Sequence, residues 1–354
     1  MRKSYLDNLR WFTVVLVVIY HVFYMYNGEG ILGTLGKITD LEVQYYDVYQ
    51  YIVYPWFMML LFIVSGISSK LYLNNHTEKE FVKSRTTKLL VPSTIGLFVF
   101  QFIQGYLNAS MSSAGELDVP IVIKFLIMVL SGIGVLWYIQ LLWLYSMILP
   151  LIIKLEKGRF WELCKKTNTV FLILMAIPVF VAGRFFNPPI IVCYRFGLYF
   201  VGFLIGYFVM SHDEVIEILK KRFVVFCPVG ILLCIAFCKT YFGGNYATAP
   251  IFISPIYLLY CWFACLAMIG GFAKYMDFET GFTKWMSAHS FGLYVFHYLG
   301  ISSVAVCLAK PGLISPVAAY ILSLVCGFVF GYVLYEIISR IPFFRWAVLG
   351  IKKK

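Results

Sequence analysis

Residues 9–26 read LRWFTVVLVVIYHVFYMY. At about 1.5 Å per residue, a helix of that length nearly crosses the roughly 30 Å hydrocarbon core of a bilayer. Arg10, at its start, and His21, well inside it, are the only Arg, Lys, His, Asp or Glu residues in this run, and an ionisable group within a span is a functional candidate by default. Hydrophobic residues make up 61% and charged residues 13% of 354 positions, more apolar surface than a soluble core of that size can hide. In lipid each backbone polar group must be satisfied within the protein, so the runs are read as helices.

Ten spans fit, near 9–26, 53–73, 89–107, 134–155, 169–183, 192–210, 223–240, 252–272, 288–308 and 314–339. Pro120 to Ser131 is apolar but short and ends at Ser131-Gly132-Ile133-Gly134, so it reads as a re-entrant or interfacial helix. The expected fold is an all-α membrane protein with about ten transmembrane helices plus that short helix. Residues 1–354 then form a single polytopic domain, without a Pro- or Gly-rich linker or an internal repeat. Met1-Arg2-Lys3 opens like a signal peptide, but Tyr24, Tyr26 and Asn27 stand where a small-residue cleavage site belongs, so the first helix is expected to stay.

The net charge of +12 is dealt out between apolar runs rather than gathered on one basic face, which argues for topology and against nucleic acid. With both termini cytosolic, 23 of the 29 cations fall on the cytosolic side. The exceptions are Lys37, Lys124, Arg184, Arg195, Lys239 and Lys310. The positive-inside rule is thus met at every loop. Cys193, Cys227, Cys234, Cys261, Cys265, Cys307 and Cys326 lie in or beside apolar runs without metal spacing, and are read as small hydrophobes. The small-xxx-small pairs Gly202 with Gly206 and Gly327 with Gly331 allow close helix packing.

Arg10 and His21 share a face, because eleven steps of about 100° return to within roughly 20° of the start, over a rise of about 16 Å. With Arg10 at the cytosolic boundary, His21 lies near or just beyond mid-membrane. A neutral imidazole there can take a proton from an attacking hydroxyl, and a histidine bonded between helices is the plainer alternative. In the ten-span topology His297 lies within about a turn or two of the same depth, with Ser65 and Gln101 at similar levels. Such a cluster suggests a lined cavity, although interhelical hydrogen bonds also account for Ser65 and Gln101. Lys79, Lys83, Arg85 and Lys88 form a basic approach to the third span, suited to lipid headgroups or to a nucleotide phosphate. Glu29, Asp40, Glu42 and Asp47 among Tyr45, Tyr46, Tyr49, Tyr51 and Tyr54 read either as a sugar-binding lip or as an interfacial aromatic belt. Nucleophile-elbow, Walker, zinc-protease and dinucleotide signatures are absent from the sequence.

Together these residues resemble the acyltransferase-3 family of integral membrane acyltransferases, especially its glucans biosynthesis protein C-like branch. Tyr5-Leu6-Asp7-Asn8-Leu9-Arg10 leading to His21 resembles the family's Arg-x10-His signature, and Phe62-Ile63-Val64-Ser65-Gly66 its Phe-x-x-Ser-Gly. Arg85-Thr86-Thr87-Lys88-Leu89-Leu90-Val91-Pro92 resembles Arg-x-x-Arg-Leu-x-x-Pro, with Lys88 in place of the second arginine, which weakens a bidentate role there. Leu136-Trp137-Tyr138-Ile139 resembles a Leu-Trp-Phe-Leu helix start, and Arg195 with Gly202 a later pairing. Ser290, Tyr294 and His297 resemble a late element, and Tyr335-Glu336-Ile337 through Arg340-Ile341-Pro342 the closing one.

The resemblance implies O-acyl transfer from cytosolic acyl-CoA, acetyl-CoA or succinyl-CoA as co-substrate, to a hydroxyl of an extracytoplasmic glycan at the cell membrane. Arg10 and His21 would be the catalytic pair, with Arg10, Arg85 and Lys88 holding the donor. Ser65, Gln101, Trp137, Tyr138, Arg195 and His297 would line the cavity or hold the acceptor. No metal is expected, the other partners are membrane lipids, and a homo-oligomer is compatible with the sequence. Some members carry an appended extracytoplasmic hydrolase-like domain; with Lys352-Lys353-Lys354 closing the sequence, the membrane domain or a separate partner is expected to complete transfer. The rival reading is a secondary transporter or flippase for a lipid-linked sugar, whose mark is paired interrupted helices in two related halves. Pro55, Pro92, Pro150, Pro178, Pro228, Pro255 and Pro316 show no such matching.

Overall fold

The computed structural model describes residues 3–27, 33–112, 119–187 and 194–352. Met1, Arg2, Glu29, Cys193, Lys353 and Lys354, named above, lie outside the described residues. Among the described residues the regular elements are all helical. The principal ones are α1 (Ser4–Met25), α2 (Phe57–Leu73), α3 (Glu78–Arg85), α4 (Phe102–Met111), α5 (Ile121–Ser131), α6 (Trp137–Glu156), α7 (Ala176–Phe185), α8 (Phe196–Phe208), α9 (Asp213–Tyr241), α10 (Pro255–Tyr275), α11 (Gly281–Val304), α12 (Pro316–Arg340) and α13 (Pro342–Leu349).

Among the described residues, seven helical stretches are long and apolar enough to cross a bilayer: Ser4–Met25, Tyr45–Leu73, Gly134–Glu156, Asp213–Tyr241, Pro255–Tyr275, Gly281–Ala309 and Pro316–Arg340. The sequence count of ten exceeds this by three. Two of those three coincide with the shorter apolar helices Thr169–Phe185 and Phe196–Phe208. The third, near 89–107, is interrupted: π-helical turns at Thr86–Leu90 and Leu97–Gln101 flank Pro92 before α4 begins. Proline has no N–H to donate and its ring crowds the preceding turn, so a regular helix cannot run through it unchanged. Helix α5 has 11 residues, too few to cross the hydrocarbon core, in agreement with its reading as a short element.

The chain forms two compact units. The first comprises residues 1–13, 51–82 and 144–287, the second 14–50, 83–143 and 288–354, so α1 contributes to both. In the first unit the amino-terminal turn is tied down by Asn8, whose Nδ2 donates to the carbonyls of Met276 (2.7 Å) and Phe278 (2.9 Å). Helix α10 starts where Ser254 caps the backbone N–H of Tyr257 and Pro255 takes the first turn, where its missing N–H costs nothing. Helices α2 and α8 meet backbone to backbone: a Cβ on Gly66 would overlap the Phe203 carbonyl, and one on Gly206 the Ile63 carbonyl. The small-residue spacing read from Gly202 and Gly206 therefore does serve close packing. Gly66→Val forces these helices apart, and a loss of about 1–3 kcal/mol is expected, measured as a lower melting temperature of the purified protein in detergent.

In the second unit α4 and α5 interlock in the same way, Gly105 against the Met128 carbonyl and Gly132 against the Gln101 carbonyl. Helix α12 starts at Ser315, whose side chain caps the Ala318 N–H, followed by Pro316. It packs on α11 through Gly300, which faces the Cys326 carbonyl, and Gly331, which faces Leu293. Gly327 faces both Ile301 of α11 and Val18 of α1. This three-way contact holds the second half of α1 beside α11, and so places His21 next to His297.

Candidate active site

His21 Nδ1 lies 2.8 Å from the Val17 carbonyl one turn back and 3.1 Å from His297 Nε2. His297 Nδ1 lies 3.0 Å from the Leu293 carbonyl and 2.9 Å from that of Tyr294. A carbonyl oxygen only accepts, so in the neutral rings each Nδ1 carries the proton. His21 Nδ1–H is then shared between the Val17 carbonyl and the bare Nε2 of His297. The remaining nitrogen, His21 Nε2, keeps its lone pair and makes no hydrogen bond among the described residues. That is the tautomer a proton acceptor requires.

The rings of Tyr20, Tyr24 and Tyr298 stand edge-on to His21, with centroids 5.2, 5.7 and 5.1 Å away. The Tyr298 hydroxyl donates to the Gly33 carbonyl at 2.6 Å. His297 has no solvent exposure, whereas His21 keeps part of its surface open. One turn back on α11, the Tyr294 hydroxyl donates to the Val135 carbonyl and its ring lies 5.9 Å from that of Tyr138. Trp137 and Tyr138, both expected at the site, open α6 with their rings 6.5 Å apart, and Tyr138 is the one placed against the helix that carries His297.

Gln101 is buried at the end of the second π turn, where the neighbouring Phe100 ring packs on Phe296, next to His297, at 5.4 Å. Its Nε2 has no hydrogen-bond partner among the described residues. A buried amide N–H without an acceptor costs on the order of 1–3 kcal/mol, a cost that an oxygen placed there would remove. Further along, Gln104 Nε2 donates to Asn108 Oδ1 and Ser302 Oγ, both at 2.9 Å. Arg85 ends α3 part-buried and Lys88 is exposed in the first π turn, and from there one helical course leads to Gln101.

The first unit holds the other three expected residues. Arg10 Nη1 donates to Asp7 at 2.9 Å and Nη2 to Ser68 Oγ at 2.8 Å, so the fork is oriented while more than a third of the side chain stays open. Ser65 is buried one turn earlier on α2, and its carbonyl accepts from Ser69. Arg195 is separated from both: its guanidinium donates to the Tyr257 hydroxyl and, at 3.1 Å, to that of Tyr54, fourteen positions before Ser68. The rings of Phe252, Tyr54 and Tyr257 surround it at 4.5 to 5.2 Å, a buried aromatic cage.

Sequence reasoning passed over Ser68, Tyr24, Gln104 and Tyr298. The first three stand three positions after Ser65, His21 and Gln101, on the same helix faces, so extending each stripe by one turn finds them. Tyr298 had no such signal, since its neighbour His297 points it nowhere in particular; the packing of α11 on α1 brings it in.

A family model described as an acyltransferase domain, that of the acyltransferase-3 family, matches residues 3–336. No curated protein and no solved structure matches the chain. The matched span includes both histidines, the Arg10 fork, the basic course from Arg85 and the Arg195 cage, on helices suited to a bilayer. The chain is a membrane acyltransferase and belongs to the acyltransferase-3 family.

Proposed function

We propose that the protein transfers an acetyl or succinyl group from cytosolic acyl-CoA to a hydroxyl of an extracytoplasmic glycan, with His21 Nε2 as general base. The observation that carries this reading is the proton assignment. Two carbonyl contacts at His297 and one at His21 put both protons on Nδ1, and the Nε2 lone pair of His21 is left without a partner among the described residues, on the one of the two residues that is not fully buried. The acceptor hydroxyl gives its proton to His21 Nε2 as its oxygen bonds to the thioester carbonyl carbon. Collapse of the tetrahedral intermediate breaks the C–S bond, and the CoA thiolate takes the proton back from His21, leaving the ester, CoA thiol and a neutral imidazole.

A thiolate is a good leaving group, so the step that needs help is formation of the oxyanion. The unpartnered Gln101 amide is one donor for it, and Tyr138 another. Arg85 and Lys88 receive the donor's phosphates at the cytosolic side, and Arg10 supplies a further cation at the start of the helix that bears His21. Trp137, next to Tyr138, contributes to the wall of the path.

The experiment uses membrane vesicles from cells that make the surface glycan, with and without the protein, supplied with acyl-CoA labelled in the acyl group. Label appearing in surface glycan, with release of CoA thiol in equal amount, is the expected result. Thiol release without labelled glycan points to another acceptor, and no thiol release at all removes acyl-CoA as donor.

A further inference from the structure

Helix α13 lies beyond the matched family span, yet it folds back on the basic segment. It starts at Pro342, in the first helical turn, and ends at Gly350, which is left-handed at φ 63°. The end is closed by Gly350 N–H to the Trp346 carbonyl (3.0 Å) and Ile351 N–H to the Arg345 carbonyl (3.2 Å). Gly350 is pressed against the first π turn: a Cβ there would come within 2.5 Å of the Thr87 carbonyl and 2.7 Å of Lys88 Cα. At the helix's other contact, Gly96 faces the Ala347 carbonyl. These contacts seat α13, which carries Arg345 and is followed by Lys352, on residues 87–96, which include Lys88, and Arg85 lies three residues before Lys88.

None of the ion pairs among the described residues involves Lys88, Arg345 or Lys352. Arg345 Nε is buried without a hydrogen-bond partner among those residues. Unneutralised cations gathered by a specific backbone contact, one with a donor turned away from solvent, suit a multiply charged phosphate ligand. Lys88 stands twelve positions before Phe100, on the order of 18 Å at helical rise, so a ligand with phosphates at one end and a reactive group on an extended arm fits the course.

We infer that α13 completes a phosphate-binding site, with Arg345 and Lys352 joining Arg85 and Lys88 on the nucleotide phosphates of the acyl donor. The inference rests on the acyl-CoA reading above. Arg345 and Lys352 bind and orient the donor; they take no part in the proton transfer.

The test measures CoA binding to the full chain by calorimetry, in nanodiscs of neutral phosphatidylcholine and in discs containing anionic phosphatidylglycerol. Arg345→Gln is expected to weaken CoA binding roughly tenfold in both lipids, the usual worth of one charge-assisted hydrogen bond. Lys352→Gln, at an exposed position that does not threaten folding, is expected to weaken it severalfold. Equal CoA affinity of the wild type and both variants overturns the inference. A loss confined to anionic discs also overturns it, because the cations then serve lipid headgroups. A wild type that binds no CoA in either lipid overturns the donor reading itself, an outcome distinct from a binding wild type with unaffected variants.

Discussion

His21→Gln is expected to lower turnover of acyl-CoA by roughly 10²- to 10⁴-fold, the usual worth of a general base, with binding of CoA little changed. Glutamine is the informative replacement because its amide N–H can still donate toward the Val17 carbonyl and His297 Nε2, the two contacts His21 makes. It lacks a nitrogen lone pair able to take a proton. His21→Ala removes the donor as well and leaves His297 Nε2 buried without a partner, so it should lose activity to a similar degree and stability besides, about 1–3 kcal/mol. Single-turnover rates, together with melting temperatures of the detergent-purified variants, separate the two effects. Robust turnover by the glutamine variant removes His21 as base, and labelled acyl group retained covalently on the wild-type protein would replace direct attack by an acyl-histidine route.

Much of this centre is legible in sequence because a helix has a fixed period and rise. The eleven-residue step from Arg10 to His21 gives a shared face by arithmetic, and depth arithmetic puts His297 near His21, which the structure places 3.1 Å away. Seven of the ten spans read from the sequence coincide with helices long and apolar enough to cross a bilayer among the described residues, since length against bilayer thickness is a one-dimensional question. Partner choice is not. Periodicity says which face of α11 is turned inward but not which helix it meets, and that choice is made by glycines such as Gly300 and Gly327, whose effect depends on both surfaces at once.

The same limit accounts for Arg195. The family resemblance puts Arg195 at the cavity or on the acceptor, and the structure surrounds it with Tyr54, Phe252 and Tyr257, drawn from segments far apart in sequence. The interrupted course around Pro92 escapes as well: no charged residue breaks 89–107, and only the geometry shows π turns where one span was expected. Helix α13 carries no signal of its own destination, because the left-handed turn at Gly350 is a local preference while its seat on Thr87 and Lys88 is a tertiary one.

The histidine pair makes a second prediction with a distinctive signature. His297 touches no substrate in the proposed reaction; it accepts from His21 Nδ1–H and so helps keep the reacting lone pair on Nε2. Removing such a supporting partner usually costs about 10- to 100-fold. His297→Ala should therefore lower kcat within that range while leaving KM for the acyl donor nearly unchanged, since His297 is not among the residues proposed to bind the donor's phosphates. Asparagine or glutamine at 297, which offers a carbonyl oxygen to the same N–H, should recover part of the loss. A purely structural role predicts otherwise: activity would track melting temperature across the three replacements, and the amides, which bury extra polarity, would rescue nothing. The decisive measurement is the double variant. If His297 acts only through His21, adding His297→Ala to His21→Gln costs almost no further activity, because the base it orients is already gone. A full additional 10- to 100-fold loss in the double variant would mean that His297 contributes to the transition state independently, as an oxyanion donor or a second base, and the division of labour between the two rings would have to be redrawn.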